Sequence, residues 1–232
     1  MTSHDFKMPE SEEREMPSVS EPVLAFAAPV AAAAPVAAAA SAANIIAGIG
    51  AVIAGGAALQ GFLDALLKGL SSIDRAISIG INNFTSREFE SPNFYLYSGT
   101  VQEASLRIGA KLCGAVAAAR TLGPIARGAV GMVSYEIAGT DHRFVILYSV
   151  PFDYNLYKNW FKLAVVRNIT PLDDALYNDM YYDKGVLTEG TVAAADKGAA
   201  KWTFSIDKTK YEMVGVMGTS GSCILNCEIR VV

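Results

Sequence analysis

The sequence predicts a mainly β protein, a β-sandwich accompanied by a long apolar N-terminal helix and one short helix. Three observations support this fold class. Short runs rich in β-branched and aromatic residues follow one another from residue 76 onwards, separated by turn residues. One amphipathic stretch interrupts them near residue 172. Ahead of them, the 42 residues between Glu21 and Asp64 contain no charged side chain.

Residues 1–43 are predicted to form a disordered extension, acidic at first and then rich in alanine and proline. Residues 1–22 carry the whole net charge of −4 and have no apolar period that a core could bury. Between Ala25 and Ala43, 13 alanines are interrupted by Pro29 and Pro35, and these prolines prevent one continuous helix. A standard secretory signal has a basic start followed directly by an apolar run, and this pattern is absent.

Residues 44–72 are predicted to form an apolar helix of membrane-spanning length. A helix over Ile45–Leu70 would be about 39 Å long, whereas a bilayer's hydrocarbon core is roughly 30 Å thick. Gln60, Asp64 and Lys68 recur every four residues and give the helix one wet side. Periodicity alone leaves three alternatives open: a buried helix whose stripe meets solvent, a permanently anchored helix, and a helix that rests on a soluble body before entering a membrane.

Residues 73–232 are predicted to form the β-sandwich. The predicted strands are Ala76–Ile81, Asn93–Ser98, Ala104–Lys111, Ala129–Ile137, Arg143–Val150, Phe161–Val166, Trp202–Ile206, Tyr211–Met217 and Cys223–Val231. The amphipathic stretch at about 172–182 begins with acids and has Leu172, Leu176 and Met180 at helical spacing, which predicts the short helix.

The composition disfavours metal, nucleophilic and nucleic-acid chemistry. The only histidines are His4 in the acidic tail and His142 in a Gly-Thr-Asp-His turn, where we interpret it as a solvated turn residue. Three cysteines, Cys113, Cys223 and Cys227, cannot pair completely, so no disulfide framework is implied. We therefore expect no metal, no cofactor and no enzymatic function. Because acids and bases balance beyond residue 22, nucleic acid is not an expected partner.

Aromatic residues are concentrated in two short segments before and within the predicted short helix. They are Tyr154, Tyr157, Trp160, Phe161, Tyr177, Tyr181 and Tyr182. One interpretation is core and edge packing. The other is a cage for a quaternary ammonium, because each ring face attracts such a cation by about 1–2 kcal/mol when water is excluded, and the hydroxyls can reach an adjoining phosphate. Phosphocholine carries both groups.

Three motifs follow one another in this region: Leu122-Gly-Pro-Ile-Ala-Arg-Gly-Ala-Val-Gly-Met, Leu147-Tyr-Ser-Val-Pro-Phe-Asp-Tyr-Asn and Tyr177-Asn-Asp-Met-Tyr-Tyr. They resemble successive signatures of the actinoporins, a family of pore-forming cytolysins. The resemblance extends in consistent order from about Ile45 to Val232. It implies a compact β-sandwich flanked by two helices that binds phosphocholine lipids, favours sphingomyelin, assembles into a homo-oligomeric ring and inserts its N-terminal helix. It also implies a secreted, nematocyst-type toxin that acts on a target cell membrane, exported by a route that the sequence leaves open.

The resemblance also assigns roles to individual positions. The head-group pocket falls on Ser98, Val130, Ser149, Pro151, Tyr157, Tyr177, Tyr181 and Tyr182. The membrane interface falls on Tyr154, Leu156, Trp160 and Phe161, and the wet side of the helix, Gln60, Asp64 and Lys68, would line the pore. Arg75 and Arg120 correspond to positions linked to lipid contact and subunit association. Leu156 stands where the family usually has an exposed tryptophan, and leucine lacks the indole's preference for the membrane interface.

Two functions from different classes are consistent with these features. The first is a pore-forming cytolysin that binds phosphocholine lipids, oligomerises and inserts its N-terminal helix. The second is a non-lytic module that binds lipid head groups or glycans in the manner of a lectin. Such a module would keep the tyrosines but would need no helix of spanning length. Dye release from sphingomyelin vesicles separates the two.

Overall fold

A computed structural model describes residues 56–123, 127–195 and 198–232. Within these residues the chain forms helices α1 (Gly56–Gly69) and α2 (Asp174–Tyr181). The strands are β1 (Ala76–Phe84), β2 (Phe89–Ser98), β3 (Thr100–Ala104), β4 (Cys113–Ala119), β5 (Ala129–Ile137), β6 (His142–Val150), β7 (Trp160–Arg167), β8 (Thr191–Ala195), β9 (Ala199–Ile206), β10 (Thr209–Met217) and β11 (Ser222–Val231). The predicted extension, residues 1–43, and the beginning of the predicted apolar helix, residues 44–55, lie outside the described residues.

The strands form two sheets that pack face to face. The six-stranded sheet has the order β3-β4-β1-β11-β10-β9, and only its β1–β11 pairing is parallel. The five-stranded sheet has the order β2-β5-β6-β7-β8 and is antiparallel throughout. One core lies between them, and its largest side chains include Tyr135, Tyr148, Phe89, Phe144 and Phe161. The predicted β-sandwich with two helices is therefore confirmed.

One predicted strand differs from the structure, and three observed strands, β3, β4 and β8, were not predicted. The run Ala104–Lys111, predicted as a strand, is mainly a loop after β3, with an isolated bridge between Phe89 and Ile108. Strand β4 has no strand signature in its sequence because it is rich in alanine, which has little β propensity. Every β4 residue is nevertheless buried, since the core lies on one side and α1 on the other. Alanine-rich β8 lacks the signature for the same reason.

Helix α1 packs its apolar side on the outer face of the six-stranded sheet, against a group of small residues in β1 and β4 that we call the seat. The buried residues are Leu59, Leu63 and Leu66 of the helix and Cys113, Ala115 and Ala117 of β4. Gly80 of β1 is part of the seat, because a Cβ there would lie 2.7 Å from Leu63 Cδ1 and 3.2 Å from Leu59 Cδ2. Small side chains in the sheet therefore allow the leucines of α1 to approach the backbone closely.

The polar stripe of α1 is exposed to solvent. Gln60, Asp64 and Lys68 are exposed, as the four-residue spacing predicted. The Gln60 amide donates to Asp64 Oδ1 at 3.3 Å, and Asn226 Nδ2 of β11 donates to Gln60 Oε1 at 3.4 Å. Among the residues that the structure describes, neither helix is long and apolar enough to cross a membrane. The role of the stripe in lining a pore remains a prediction.

Helix α2 packs on the outer face of the five-stranded sheet, where the short helix was predicted. Asp173 caps its N-terminus, since its side chain accepts the backbone N–H groups of Ala175 and Leu176 at 3.0 and 3.1 Å. At the other end, the buried Lys162 Nζ donates to the Met180 carbonyl at 2.9 Å. The apolar side of α2 buries Leu176, Tyr177 and Met180 against Met132, Val145, Leu147, Ala164 and Val166 of the sheet.

His142 is buried, so its interpretation as a solvated turn residue is wrong. The imidazole lies between two carboxylates, with Nε2 2.9 Å from Glu189 Oε2 and Nδ1 2.7 Å from Asp141 Oδ1. Arg167 pairs with the same two carboxylates. The turn residues give a correct local conformation, but Glu189 is 47 positions away and only the pairing of β7 with its neighbours brings it to His142.

Candidate functional site

A row of side chains crosses one end of the five-stranded sheet. The strand register pairs Ser98 with Val130, Val130 with Ser149, and Ser149 with Trp160. Paired residues of antiparallel strands project from the same face. Because Val130 and Trp160 pack against the cluster around α2, this is the outer face of the sheet. Ser98 Oγ donates to the Gly128 carbonyl at 2.8 Å and ties this end of β2 to the start of β5.

Helix α2 places three tyrosines over this row. The rings of Tyr177 and Tyr181 lie with centroids 5.5 Å apart, and Tyr181 meets Trp160 edge to face at 5.2 Å. Tyr182, at the C-terminal cap, meets Tyr181 edge to face at 5.0 Å. The structure therefore brings the predicted residues of α2 together with those of β5, β6 and β7, which lie up to 52 positions away in the sequence.

Strand β2 adds two tyrosines that the sequence analysis did not identify. Tyr97 stacks on Tyr177 with centroids 5.0 Å apart and planes 5° from parallel, and the Tyr95 ring lies 5.4 Å from the same tyrosine. The Tyr95 hydroxyl donates to the Asp174 carboxylate at the start of α2. The alternation Tyr-Leu-Tyr directly before Ser98 was the available signal, because residues two apart on a strand share a face. We call Tyr95, Tyr97, Trp160, Tyr177, Tyr181 and Tyr182 the aromatic cluster.

Three hydroxyl groups of the aromatic cluster, those of Tyr95, Tyr177 and Tyr181, have a raised pKa. Burial raises the pKa of Tyr177 and of Tyr181, and neighbouring tyrosines raise both further. Burial also raises the pKa of Tyr95, helped by its hydrogen bond to Asp174. The cluster therefore offers ring faces, which attract cations, beside O–H groups, which suit phosphate oxygens.

The loop between β6 and β7, residues 151–159, lies beside the aromatic cluster and exposes apolar groups. Leu156 is 72% exposed and Tyr157 is 60% exposed. Tyr157 is close enough to Tyr181 for their electrostatic interaction to raise the pKa of the latter. Pro151, at the start of the loop, is buried.

The base of this loop is held by hydrogen bonds. The Tyr154 hydroxyl donates to Asn159 Oδ1 at 2.7 Å, and Asn159 Nδ2 donates to the carbonyls of Gly218 and Ser220, each at 2.9 Å. The loop thus presents the exposed Leu156 from an anchored base.

Arg75, directly before β1, anchors the same loop. Its Nε donates to the Pro151 carbonyl at 2.9 Å, and its Nη2 donates to the Phe152 carbonyl at 2.7 Å. Its guanidinium also lies 4.8 Å from the centroid of the Tyr154 ring. Within the chain, Arg75 therefore positions the loop that carries Leu156 and Tyr157.

Arg120 acts beside it. Its guanidinium lies 5.6 Å from the centroid of Phe152 and pairs with the Asp74 carboxylate. The hydrogen bond from Arg120 lowers the pKa of Asp74, and the charges of Arg120 and Arg75 add to this effect. Both arginines are half-buried by these contacts. Their assignment to subunit association remains a prediction.

Comparison with known proteins identifies the family. The sequence matches the family described as "Sea anemone cytotoxic protein" over residues 46–231. It is similar to DELTA-actitoxin-Ucs1a of Urticina crassicornis, with 34% identity over 186 residues that cover 78% of this chain and 77% of the relative. It is also similar to deep-sea actinoporin Cjtox I of Cribrinopsis japonica, with 33% identity over 187 residues that cover 80% and 79% of the two chains. This chain belongs to the actinoporins, the sea anemone cytotoxic protein family.

The solved structures agree on the fold of this actinoporin. The lipid-binding protein Nakanori matches with a TM-score of 0.56 at 11% sequence identity, covering 74% of this chain and 80% of its own. Identity this low shows a shared fold and nothing more. Family membership confirms the predicted resemblance and places the chain among cytolytic toxins rather than enzymes.

The assignment of Phe161 to the membrane interface of this actinoporin is wrong. Phe161 is fully buried in the core between the sheets, and a Cβ on Gly215 of the opposite sheet would lie 2.4 Å from its ring. Since successive strand residues point to opposite faces, Trp160 projects toward α2 and Phe161 must project inward. Trp160 itself is half-buried against Tyr181.

We expect this actinoporin to lose stability at alkaline pH because several of its tyrosines are buried. Burial raises the pKa of Tyr135, Tyr148 and Tyr177. Folding favours their neutral form, so their stabilising contribution is complete below the unfolded-state pKa near 10 and is lost as the pH rises toward the raised folded-state pKa. We expect thermal unfolding, followed by circular dichroism, to show a free energy of unfolding that falls above about pH 10 by roughly 1.4 kcal/mol per pH unit for each such tyrosine.

The matched control is Tyr148→Phe, which keeps the buried ring and removes one ionisable hydroxyl. Above about pH 10 its free energy of unfolding should fall less steeply than that of the wild type, and the difference in slope should be roughly 1.4 kcal/mol per pH unit, the contribution of one tyrosine. Identical slopes for the two proteins would contradict the assignment of Tyr148 as a contributor.

Proposed function

We propose that this actinoporin is a pore-forming cytolysin that binds phosphocholine lipids, assembles into a homo-oligomeric ring on the membrane and inserts its N-terminal apolar segment. The observation that carries the proposal is the aromatic cluster, which lies beside the exposed Leu156 and Tyr157 of the anchored loop. A neutral site of ring faces and hydroxyl donors next to a protruding leucine matches a zwitterionic head group with acyl chains below it.

The head group is proposed to bind with its ammonium against the tyrosine rings and its phosphate near the hydroxyls. Tyr157 and Tyr182 are the most accessible of the predicted tyrosines, at 60% and 59% exposed. Ser98, Val130, Ser149 and Pro151 form the floor of the proposed site, where Ser149 and Pro151 are buried. Leu156 would enter the acyl region, while Tyr154 and Trp160 support the loop and the cluster at the interface.

Insertion is proposed to begin when α1 leaves the six-stranded sheet. Leu59, Leu63 and Leu66 are held by contacts with apolar groups, and lipid chains offer an equivalent apolar environment. The exposed stripe of Gln60, Asp64 and Lys68 would then face the lumen of the pore. A stripe with one acid and one base gives a lumen of little net charge, so we propose weak selectivity between cations and anions.

Vesicle leakage across lipid compositions tests the proposal. We expect rapid dye release from vesicles of sphingomyelin and phosphatidylcholine in equal parts, slower release from phosphatidylcholine alone, and no release from choline-free vesicles of phosphatidylethanolamine and phosphatidylglycerol. Equal release from choline-free vesicles would contradict head-group recognition. Binding to choline vesicles without release would instead support the alternative, a non-lytic module that binds lipid head groups or glycans.

A further inference from the structure

The Tyr97 ring covers one face of the Tyr177 ring. The two rings are 5° from parallel with centroids 5.0 Å apart. A cation bound to an aromatic face lies within about 6 Å of the ring centroid, in the volume that the Tyr97 ring now fills. Tyr177 is only 5% exposed, because it also packs against the sheet, Tyr95 and Tyr181, whereas Tyr97 is 51% exposed. The outer of the two rings therefore covers the inner one.

Tyr97 lies at an irregularity in the pairing of β2 with β5. The pairing of β2 with β5 shifts between Leu96 and Ser98, so Leu96 pairs with Gly131, Ser98 pairs with Val130, and Tyr97 has no partner in the register. A residue in such a bulge is left out of the ladder. No residue of β5 is therefore paired directly opposite Tyr97.

We propose that Tyr97 is a lid on the head-group site, closed in water and opened at a membrane surface. This rests on the proposed binding of phosphocholine lipids. In water, the half-exposed Tyr97 ring gains by stacking on Tyr177. At a bilayer the same ring can partition into the interfacial region, where tyrosine is favoured, and it then uncovers Tyr177 for the choline group. The site thus favours phosphocholine in a bilayer over the same group free in solution.

The lid makes free phosphocholine compete with an aromatic stack. Breaking such a stack typically lowers the binding constant of the competing ligand between twofold and tenfold. Tyr97→Ala should therefore bind free phosphocholine about fivefold more tightly than the wild type, as measured by calorimetry. Tyr97→Phe keeps the stack and is the matched control, with affinity equal to that of the wild type.

Vesicle binding supplies the second measurement. Because the membrane already draws Tyr97 away from Tyr177, Tyr97→Ala should gain no affinity for sphingomyelin vesicles. The variant also lacks the favourable contribution of the tyrosine ring at the membrane interface. A gain for free phosphocholine without a gain for vesicles supports the lid. An equal gain for both ligands would refute opening by the membrane.

Two other outcomes separate the lid from the proposed function. If the wild type binds free phosphocholine and Tyr97→Ala binds it equally or less tightly, Tyr97 is a wall of the site, and the lid alone is overturned. If the wild type, Tyr97→Ala and Tyr97→Phe all fail to bind phosphocholine, both free and in vesicles, head-group recognition is refuted and the lid is refuted with it. Tyr97→Phe should melt at the wild-type temperature, and Tyr97→Ala should melt only a few degrees lower, as expected for the loss of one aromatic stack in an intact fold.

Discussion

Replacing Leu63 by alanine is expected to raise the reactivity of the Cys113 thiol about 100-fold. Leu63 is fully buried between α1 and the seat formed by Gly80 and the alanines of β4, and Cys113 lies beneath the same helix. Truncating a buried leucine costs roughly 3 kcal/mol, which makes undocking of α1 about 100-fold more frequent. Maleimide labelling of native protein, with the modified peptides identified by mass spectrometry, measures this opening.

The same helix and the same core supply the controls. Leu67→Ala makes the same change of residue type at a half-buried position of α1 and should alter the labelling rate only a few-fold. Cys223 and Cys227 lie in the core between the sheets, where burial raises the pKa of Cys223 to about 12. They should stay unreactive, because undocking of α1 leaves that core closed. Labelling of Cys223 in parallel with Cys113 would indicate global unfolding and contradict local undocking.

The wild-type protein on membranes connects this docking to the proposed pore. If α1 leaves the sheet during insertion, Cys113 should become reactive when the protein is added to sphingomyelin vesicles, at the rate at which the vesicles leak. Burial raises the pKa of this thiol in the docked state, so its background rate in water is low. Leakage of the vesicles while Cys113 remains unreactive toward maleimide would contradict the proposed release of α1.

Replacing both Tyr157 and Tyr182 by alanine is expected to weaken binding to phosphocholine vesicles about 100-fold. In the proposed site each ring attracts the ammonium by about 1–2 kcal/mol, so losing two rings removes roughly 3 kcal/mol. The two side chains are 60% and 59% exposed, so their removal leaves no cavity in the core. Co-sedimentation with sphingomyelin vesicles measures the affinity, and the melting temperature should be nearly unchanged.

The matched control is the double variant Tyr157→Phe with Tyr182→Phe. It keeps both ring faces and removes only the hydroxyls, so its affinity should fall by no more than about tenfold. Unchanged affinity of the double alanine variant would reject the tyrosine cage. Equal losses for the alanine and phenylalanine variants would show that the hydroxyls, rather than the ring faces, hold the head group.

The sequence by itself predicted the features that depend on local pattern. Short runs of β-branched and aromatic residues marked most strands of the sandwich, and the acids before Leu176 marked the start of α2, which Asp173 caps. The four-residue spacing of Gln60, Asp64 and Lys68 predicted their exposed stripe on α1. These features follow from the helix period, the strand period and end caps, all of which act over a few residues.

Tertiary structure alone decided which faces are buried. The alanines of β4 carry no strand signal, and they form a strand because the core covers one face and α1 covers the other. Phe161 belongs to the aromatic segment by sequence, yet its strand position turns it into the core. His142 sits in a predicted turn, and the approach of Glu189 buries it.

The candidate site shows the same division. Its tyrosines on α2 and in the loop were recognisable from the sequence, whereas the place of Tyr97 on Tyr177 and the grip of Arg75 on the loop were not. Arg75 and Pro151 are 76 positions apart, and Tyr97 and Tyr177 are 80 apart. Contacts at such separations are set by strand register and by the packing of helices on sheets, because no local periodicity determines which distant side chains share a face.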